Sequence, residues 1–387
     1  MNLTKDEFRE LLLRYKDGLC TPQERQYIET WYHSYIDDAF ENISYGRMQA
    51  HKAEIWHKLE KQTKSKSRII LLHPFWRMAA ASIIIVGIAL IGLRLYEDAQ
   101  WVDYQQVNAI APAQEDGQLI LADGETVNLN KLDSGSIHTE DGIIIERQAD
   151  GAISYRHEAG SDVVLENESK YNTLITPKGQ KYTLLLTDGT KVTMNAGSRI
   201  RFPNHFNNDQ RKVYAQGELF FDVAHNAAQP FVVETDNQQI QVLGTKFIVD
   251  EFEEGQMIKT SLIEGRVRLS ALNSNKSLLL APGQQGRLTT DGLTKSNFNL
   301  DLETAWLNDD FLFIEDSLSE IFKELERWYA IDTKYEEGLG KLNFSGAISR
   351  KKSLQEVLTI MSSTGKIKFE MRGNTLLARL ADPVDIK

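Results

Sequence analysis

The side chains in this 387-residue sequence that could do chemistry are eight histidines, one cysteine and scattered carboxylates. His33, His51, His57, His73, His138, His157, His205 and His225 show neither an HxH nor an HExxH spacing, so local sequence assembles no metal centre. Cys20 has no histidine near it, which argues for an incidental residue over a thiolate nucleophile. Glu218 and Asp222 stand on one face of a strand-like run, about 13 Å apart, beyond the separation that a glycosidase pair uses. No GxSxG, P-loop or Rossmann fingerprint occurs. An enzyme with turnover is therefore not expected, and neither is a cofactor or a metal.

The sequence is organised instead by one apolar stretch, FWRMAAASIIIVGIALIGLRLY at residues 75–96. Between Arg77 and Arg94 no charge occurs in 16 positions. As a helix those residues rise about 24 Å, and the flanking aromatics and Leu95 extend them to roughly the 30 Å of a bilayer core. Both arginines can snorkel to the headgroups. Lys58, Lys61, Lys64, Lys66, Arg68 and Arg77 precede the stretch, while Glu97, Asp98 and Asp103 follow it. The positive-inside bias predicts a single-pass inner-membrane protein with a cytoplasmic N-terminus and a periplasmic C-terminus. The run begins too far into the chain, and without a small-residue cleavage pattern, for a signal peptide. The net charge of −11 divides unevenly, with +2 over residues 1–77 and −13 over residues 94–387. An acidic outer part argues against direct nucleic-acid binding there. No cysteine follows Cys20, so the outer part is held by its cores and not by disulfides.

Residues 1–68 predict a small helical bundle. Thr4-Lys5-Asp6-Glu7 and Thr21-Pro22-Gln23-Glu24 are capping boxes, Gly18 ends the first helix, and a third helix is expected from about Gly46 to Gln62. Leu11, Leu12, Tyr15, Ile28, Trp31 and Tyr32 form apolar stripes suited to docking a partner. The remainder predicts an all-β domain over 105–300, a sandwich or β-roll, followed by an α+β module over 303–387. Asp123-Gly124, Asp141-Gly142, Asp150-Gly151, Asp188-Gly189 and Asp291-Gly292 mark hairpins between alternating runs. LILADGETVNLN (119–130) and LLLTDGTKVTMN (184–195) echo each other, a duplicated hairpin. In the last module Ser317 and Ser353 open helices, each flanked by strands in a βαβ-βαβ order, with a closing hairpin across Arg372-Gly373-Asn374. The module's sheet edge suits protein contact by strand addition.

YNTLITPKGQKYTLLLTDGTKVTMNAGSRIRFP (171–203), VYAQGELFFDV (213–223), PFVVETDNQQIQVLGTKFIV (230–249), SLIEGRVRL (261–269) and LAPGQQGRL (280–288) together resemble the FecR family of transmembrane anti-sigma factors. One departure is Val192-Thr193-Met194-Asn195, where many relatives carry a tryptophan before the Leu-Asn. Gly179, Gly189, Gly197, Gly217, Gly265 and Gly283 suit positive-φ turns and Asn195 a turn hydrogen bond, so these motifs read as scaffold. The phrases LERWYAIDTKYE, FSGAISRKKSLQEVLTIM and FEMRGNTLLA resemble the short N-terminal domain of secretins and TonB-dependent receptors.

The resemblance implies a relay from an outer-membrane TonB-dependent receptor to a cytoplasmic extracytoplasmic-function sigma factor, controlling uptake genes. It also implies a self-cleavage site, since in some relatives the bond matching Gly244-Thr245 breaks when the threonine hydroxyl attacks the preceding carbonyl, giving an ester that water hydrolyses. The competing reading is a membrane-anchored periplasmic binding or tethering protein without a sigma partner.

Overall fold

The computed structural model describes Leu11 and residues 21–28, 102–104, 110–112, 117–129, 136–138, 143–148, 151–157, 170–206, 209–253, 257–363, 365 and 367–381. The apolar stretch 75–96 lies outside these residues, and among those described no helix is long and apolar enough to cross a membrane. Residues 22–28 are helical. Their box is present: the Thr21 N–H donates to Glu24 Oε2 at 2.8 Å and the Glu24 N–H to Thr21 Oγ1 at 3.3 Å. Leu11 and Ile28 are buried. Leu12, Tyr15, Trp31, Tyr32 and Cys20 lie outside the described residues, as does the third expected helix.

From Gln118 to Asn297 the described regular structure is strand, in one nine-stranded and one ten-stranded sheet. Alternation along the strands fixes which residues face inward. Tyr171–Ile175 and Glu218–Asp222 each bury every second residue. The inner faces share one core that contains Leu119, Leu174, Leu184, Val192, Leu219, Phe221, Phe231 and Phe247 at full burial. Phe221 and Phe247 stack at 5.0 Å. Each such side chain stabilises the fold by about 1.5–3 kcal/mol. Chain and sheets are interleaved: Arg199–Pro203 and Arg211–Gln216 belong to the nine-stranded sheet, Glu218–Asp222 to the ten-stranded one, and Phe231–Glu234 and Gln238–Val242 to the nine-stranded one again.

The duplicated hairpin is visible in the hydrogen bonds. The Gly124 N–H donates to Leu121 O and the Leu121 N–H to Glu125 O, and the same two bonds recur at Gly189, Leu186 and Thr190. Gly124 and Gly189 stand at φ 90° and 84°, the left-handed conformation that glycine adopts without Cβ strain. Asp188 does more than turn the chain. Its carboxylate meets Arg211, which is 1% exposed, at 2.7 Å, and Arg211 also donates to Gln229 O and Ala224 O. A buried cation is tolerated only when paired and hydrogen-bonded in this way.

The C-terminal module runs strand Asp310–Ser317, helix Leu318–Tyr329, strands Asp332–Tyr335 and Asn343–Ser349, helix Leu354–Ser362, and hairpin Ile367–Arg372 with Thr375–Leu380. Both serine boxes are formed, with Ser317 paired to Glu320 and Ser353 to Glu356. The strands divide between two sheets. Among the described residues Asp310–Ser317 pairs only with Asn343–Ser349, while Asp332–Tyr335 joins the hairpin. Each strand–helix–strand unit therefore crosses from one sheet to the other, and its helix fills the space between. Leu318, Ile321, Phe322 and Leu325 of one helix and Leu354, Val357, Leu358 and Met361 of the other enter one core with Phe311 and Phe369.

The fourth strand of the larger sheet comes from far away. Val102–Asp103 pairs antiparallel with Ile367–Arg372, with Val102 opposite Met371 and Asp103 opposite Glu370. Tyr104 follows into the module's core, its ring edge-on to Phe369 at 6.0 Å and its hydroxyl 3.0 Å from Ser362 Oγ. Ile110 donates its N–H to Gln355 Oε1 and accepts from the Leu354 N–H.

Candidate functional site at the domain junction

A cluster of residues with perturbed environments lies where the β body meets the C-terminal module, around a cleft of about 640 Å³. Strand Glu218–Asp222 presents Glu218 to this cleft, because the alternation that buries Leu219 and Phe221 turns Glu218 the other way. The turn after Lys191–Met194 brings Asn195 beside it, and Asn195 Nδ2 donates to Glu218 Oε2 at 2.6 Å. Asn195 Oδ1 accepts from the Ala196 N–H at 2.9 Å, the expected turn bond, and also from Arg350 Nη1 of the C-terminal module at 3.1 Å.

Arg350 is 6% exposed. Its guanidinium lies 4.7 Å from the Phe311 ring centre and 5.2 Å from that of Trp328, and it donates to Glu324 Oε2 at 3.3 Å. Burial lowers its pKa below the ordinary arginine value, opposed by Glu324 and Glu218. Its carbonyl accepts the Trp328 indole N–H at 2.8 Å. A planar cation between two aromatic faces, with carboxylate and amide acceptors at its rim, is an arrangement that lysine cannot copy.

Other contacts surround this centre. The Gly179 N–H donates to Arg327 O at 2.9 Å. The Arg327 guanidinium lies 4.1 Å from the Phe252 ring centre. Lys181 meets Asp309 at 2.6 Å and donates to Leu307 O at 2.9 Å. The short helix Leu300–Thr304, capped by Asn299, carries Glu303 back onto the β body. There Gln285 donates to Glu303 Oε1 at 2.9 Å and Ser261 to Glu303 Oε2 at 3.2 Å.

Three carboxylates of the cleft, Glu218, Asp316 and Glu303, hold their protons unusually well, while hydrogen bonds from Ser317 lower Glu320. Burial first, then Asp250, pushes Glu218 up to about 8, against the pull of Asn195 and Arg350. Burial pushes Asp316 up to about 7, with Glu324 and Glu320 adding to the effect and the Ile314 N–H opposing it. Glu303 is raised too, chiefly by burial, with Lys259 opposing. Asp316 reaches the cleft through a β-bulge: the register shifts between Phe313 and Asp316, and Glu315 stands at φ 60°. Bulges re-aim side chains in this way, at a cost in backbone strain. No group of three or more His, Cys, Asp or Glu side chains among the described residues could hold a metal ion.

Gly179, Asn195, Glu218 and Gln285 come from three separate stretches that the sequence presents as turn or strand scaffold. The structure gives these four a shared second role as the grip on the C-terminal module. Glycine and asparagine satisfy the local turn equally well with or without a partner 155 residues away, so local sequence does not reveal it. Asp222 lies at the other end of the same strand, 3.9 Å from Lys246.

Gly244-Thr245 lies elsewhere, at the crossing from Gln238–Val242 in one sheet to Lys246–Glu253 in the other. A Cβ on Gly244 would come within 2.6 Å of His225 Nδ1 and 2.7 Å of His225 Cα, so only glycine fits. Thr245 is buried, and its Oγ1 donates to Arg266 O at 3.1 Å. Neither residue adopts the left-handed conformation.

A two-sheet β body whose own turn motifs grip a small α+β module is the class of architecture defined here. The FecR protein family matches residues 172–268, and the FecR C-terminal family matches residues 310–378. Two crystal structures of a proposed anti-sigma factor from Parabacteroides distasonis ATCC 8503 are similar at 27% identity. One alignment covers 54% of this chain and 99% of that one, with a TM-score of 0.49. The other covers 55% and 100%, with a TM-score of 0.50. No curated protein matches the sequence. These matches place residues 172–268 and 310–378 in the FecR family.

Proposed function

We propose that this protein is an anti-sigma factor that crosses the inner membrane once. It relays the loading of an outer-membrane TonB-dependent receptor to an extracytoplasmic-function sigma factor and so controls uptake genes. The observation that carries this reading is the order of the two matched regions: the FecR region at 172–268 and the FecR C-terminal region at 310–378 follow an apolar stretch with a basic N-terminal flank. The similarity to a proposed anti-sigma factor, which the alignment spans over its whole length, supports it. In this reading the C-terminal module faces the receptor, the junction passes the signal on, and residues 1–68 hold or release the sigma factor. Trp31 and Tyr32, with Leu12 and Tyr15, are the anchors of that contact.

The test is capture of a sigma factor by the full chain in detergent. Capture is expected from the wild type and is weakened at least tenfold by Trp31→Ala, while the outer part stays folded. A chain that captures no sigma factor would be a tether instead, and capture unchanged by Trp31→Ala would remove that residue from the contact. Cleavage at Gly244-Thr245 belongs to the same proposal. The thread of chain between the two sheets would be severed there, while the pairings of Gln238–Val242 and Lys246–Glu253 hold the fragments together.

A further inference from the structure

The outer edge of Ile367–Arg372 is occupied by a strand that starts just after the apolar stretch. Among the described residues this chain pairs only Glu370 and Met371 of that six-residue edge. One aromatic side chain, Tyr104, and the two backbone bonds of Ile110 complete the attachment. Tyr104 meets Thr359, 255 positions further along the chain, so closing the contact costs the entropy of a long loop. Yet it is well formed: Tyr104 is 3% exposed, within the core that holds both helices. The edge strand itself buries Ile367, Phe369 and Met371 on one face and leaves Lys368, Glu370 and Arg372 partly exposed between them.

We propose that this edge is a strand-exchange site. Val102–Tyr104 occupies it in the resting chain, and an extended segment of a partner protein takes its place and so frees the residues that lead to positions 75–96. This deepens the reading of the C-terminal module as the end that meets a partner, and rests on it. The partner's chemistry follows from the edge. It is an extended polypeptide, apolar at alternate positions to continue the face of Phe369 and Met371, with an aromatic residue for the pocket of Tyr104. Its intervening positions are polar, to lie beside Lys368, Glu370 and Arg372. A tethered strand competes at an effective concentration in the millimolar range. An incoming strand overcomes this by pairing along all six residues, since strand addition draws its affinity from main-chain hydrogen bonds.

The test uses the full chain in detergent and a fluorescein-labelled peptide with the sequence of residues 101–107, WVDYQQV, read by fluorescence polarisation. Tyr104→Ala weakens the resident strand, so the peptide is expected to bind that variant about tenfold more tightly than the wild type. In a Cys20→Ser background, Asp103→Cys with Glu370→Cys places two thiols in register. Oxidation is expected to link them and abolish peptide binding, and reduction to restore it. Equal binding by the oxidised and reduced chains would overturn the proposal, as would equal binding by the Tyr104→Ala chain and the wild type, or failure of the disulfide to form. No sigma factor is present in the assay, so loss of the sigma reading and loss of this one are separately visible.

Discussion

Glu218→Gln is the substitution that tests the junction most directly. In the folded protein Glu218 keeps its proton up to about pH 8, because the cleft desolvates it and Asp250 lies nearby. In the unfolded chain it loses that proton near the ordinary glutamate value of about 4.5. Between these values the folded state binds one more proton than the unfolded state, so stability falls as pH rises, by at most about 1.4 kcal/mol per unit. Glu218 is only half-buried, and the solvent that still reaches it screens part of this effect, so about 2 kcal/mol is expected across the whole window. Glutamine keeps an oxygen that can accept from Asn195 Nδ2 and has no proton to lose, so its slope from this position is zero.

The readout is hydrogen exchange at the Gly179 amide, whose acceptor is Arg327 O across the junction. After correction for intrinsic exchange, wild-type protection should fall roughly tenfold between pH 5.5 and 8, and that of Glu218→Gln far less. Parallel pH profiles for the two proteins would refute the assignment of the proton to Glu218.

Three further outcomes follow from the same structure. Asp188→Ala removes the only carboxylate that meets Arg211 among the described residues and should cost about 3–5 kcal/mol, visible as a lower urea midpoint for the β body. Gly217→Ala places a Cβ 2.8 Å from Ser198 Cα at φ 93°; a loss of about 2–3 kcal/mol is expected, with the strand carrying Glu218 displaced. Thr245→Ala should leave the chain intact where the wild type yields two fragments meeting between residues 244 and 245. A wild-type chain that runs only at full length on a denaturing gel would dismiss that reaction.

The β body was legible because its signals are local. Asp-Gly turns and alternating strands are written in consecutive residues, and the recurrent bonds at Gly124 and Gly189 are what the duplicated motif predicts. The capping boxes at Thr21, Ser317 and Ser353 were legible for the same reason. The division of the C-terminal strands between two sheets was not, because period-two alternation states which face is buried and is silent about which neighbour is chosen. Arg211 was passed over, since a charged residue at the start of a strand reads as solvated unless its distant carboxylate is known. The partnership of Asn195 with Arg350 and that of Asp103 with Glu370 join residues far apart in the chain, and neither leaves a mark on the residues around it.

The attachment of Val102–Asp103 has a bearing on how the molecule is made. The larger sheet of the C-terminal module is discontinuous in the chain, with one strand synthesised before the whole β body and the others after it. That early strand has nothing to pair with until more than 250 further residues have emerged. Completion of the sheet therefore registers that synthesis has run to the final hairpin, and a prematurely terminated chain would expose Tyr104 as a greasy flag for quality control.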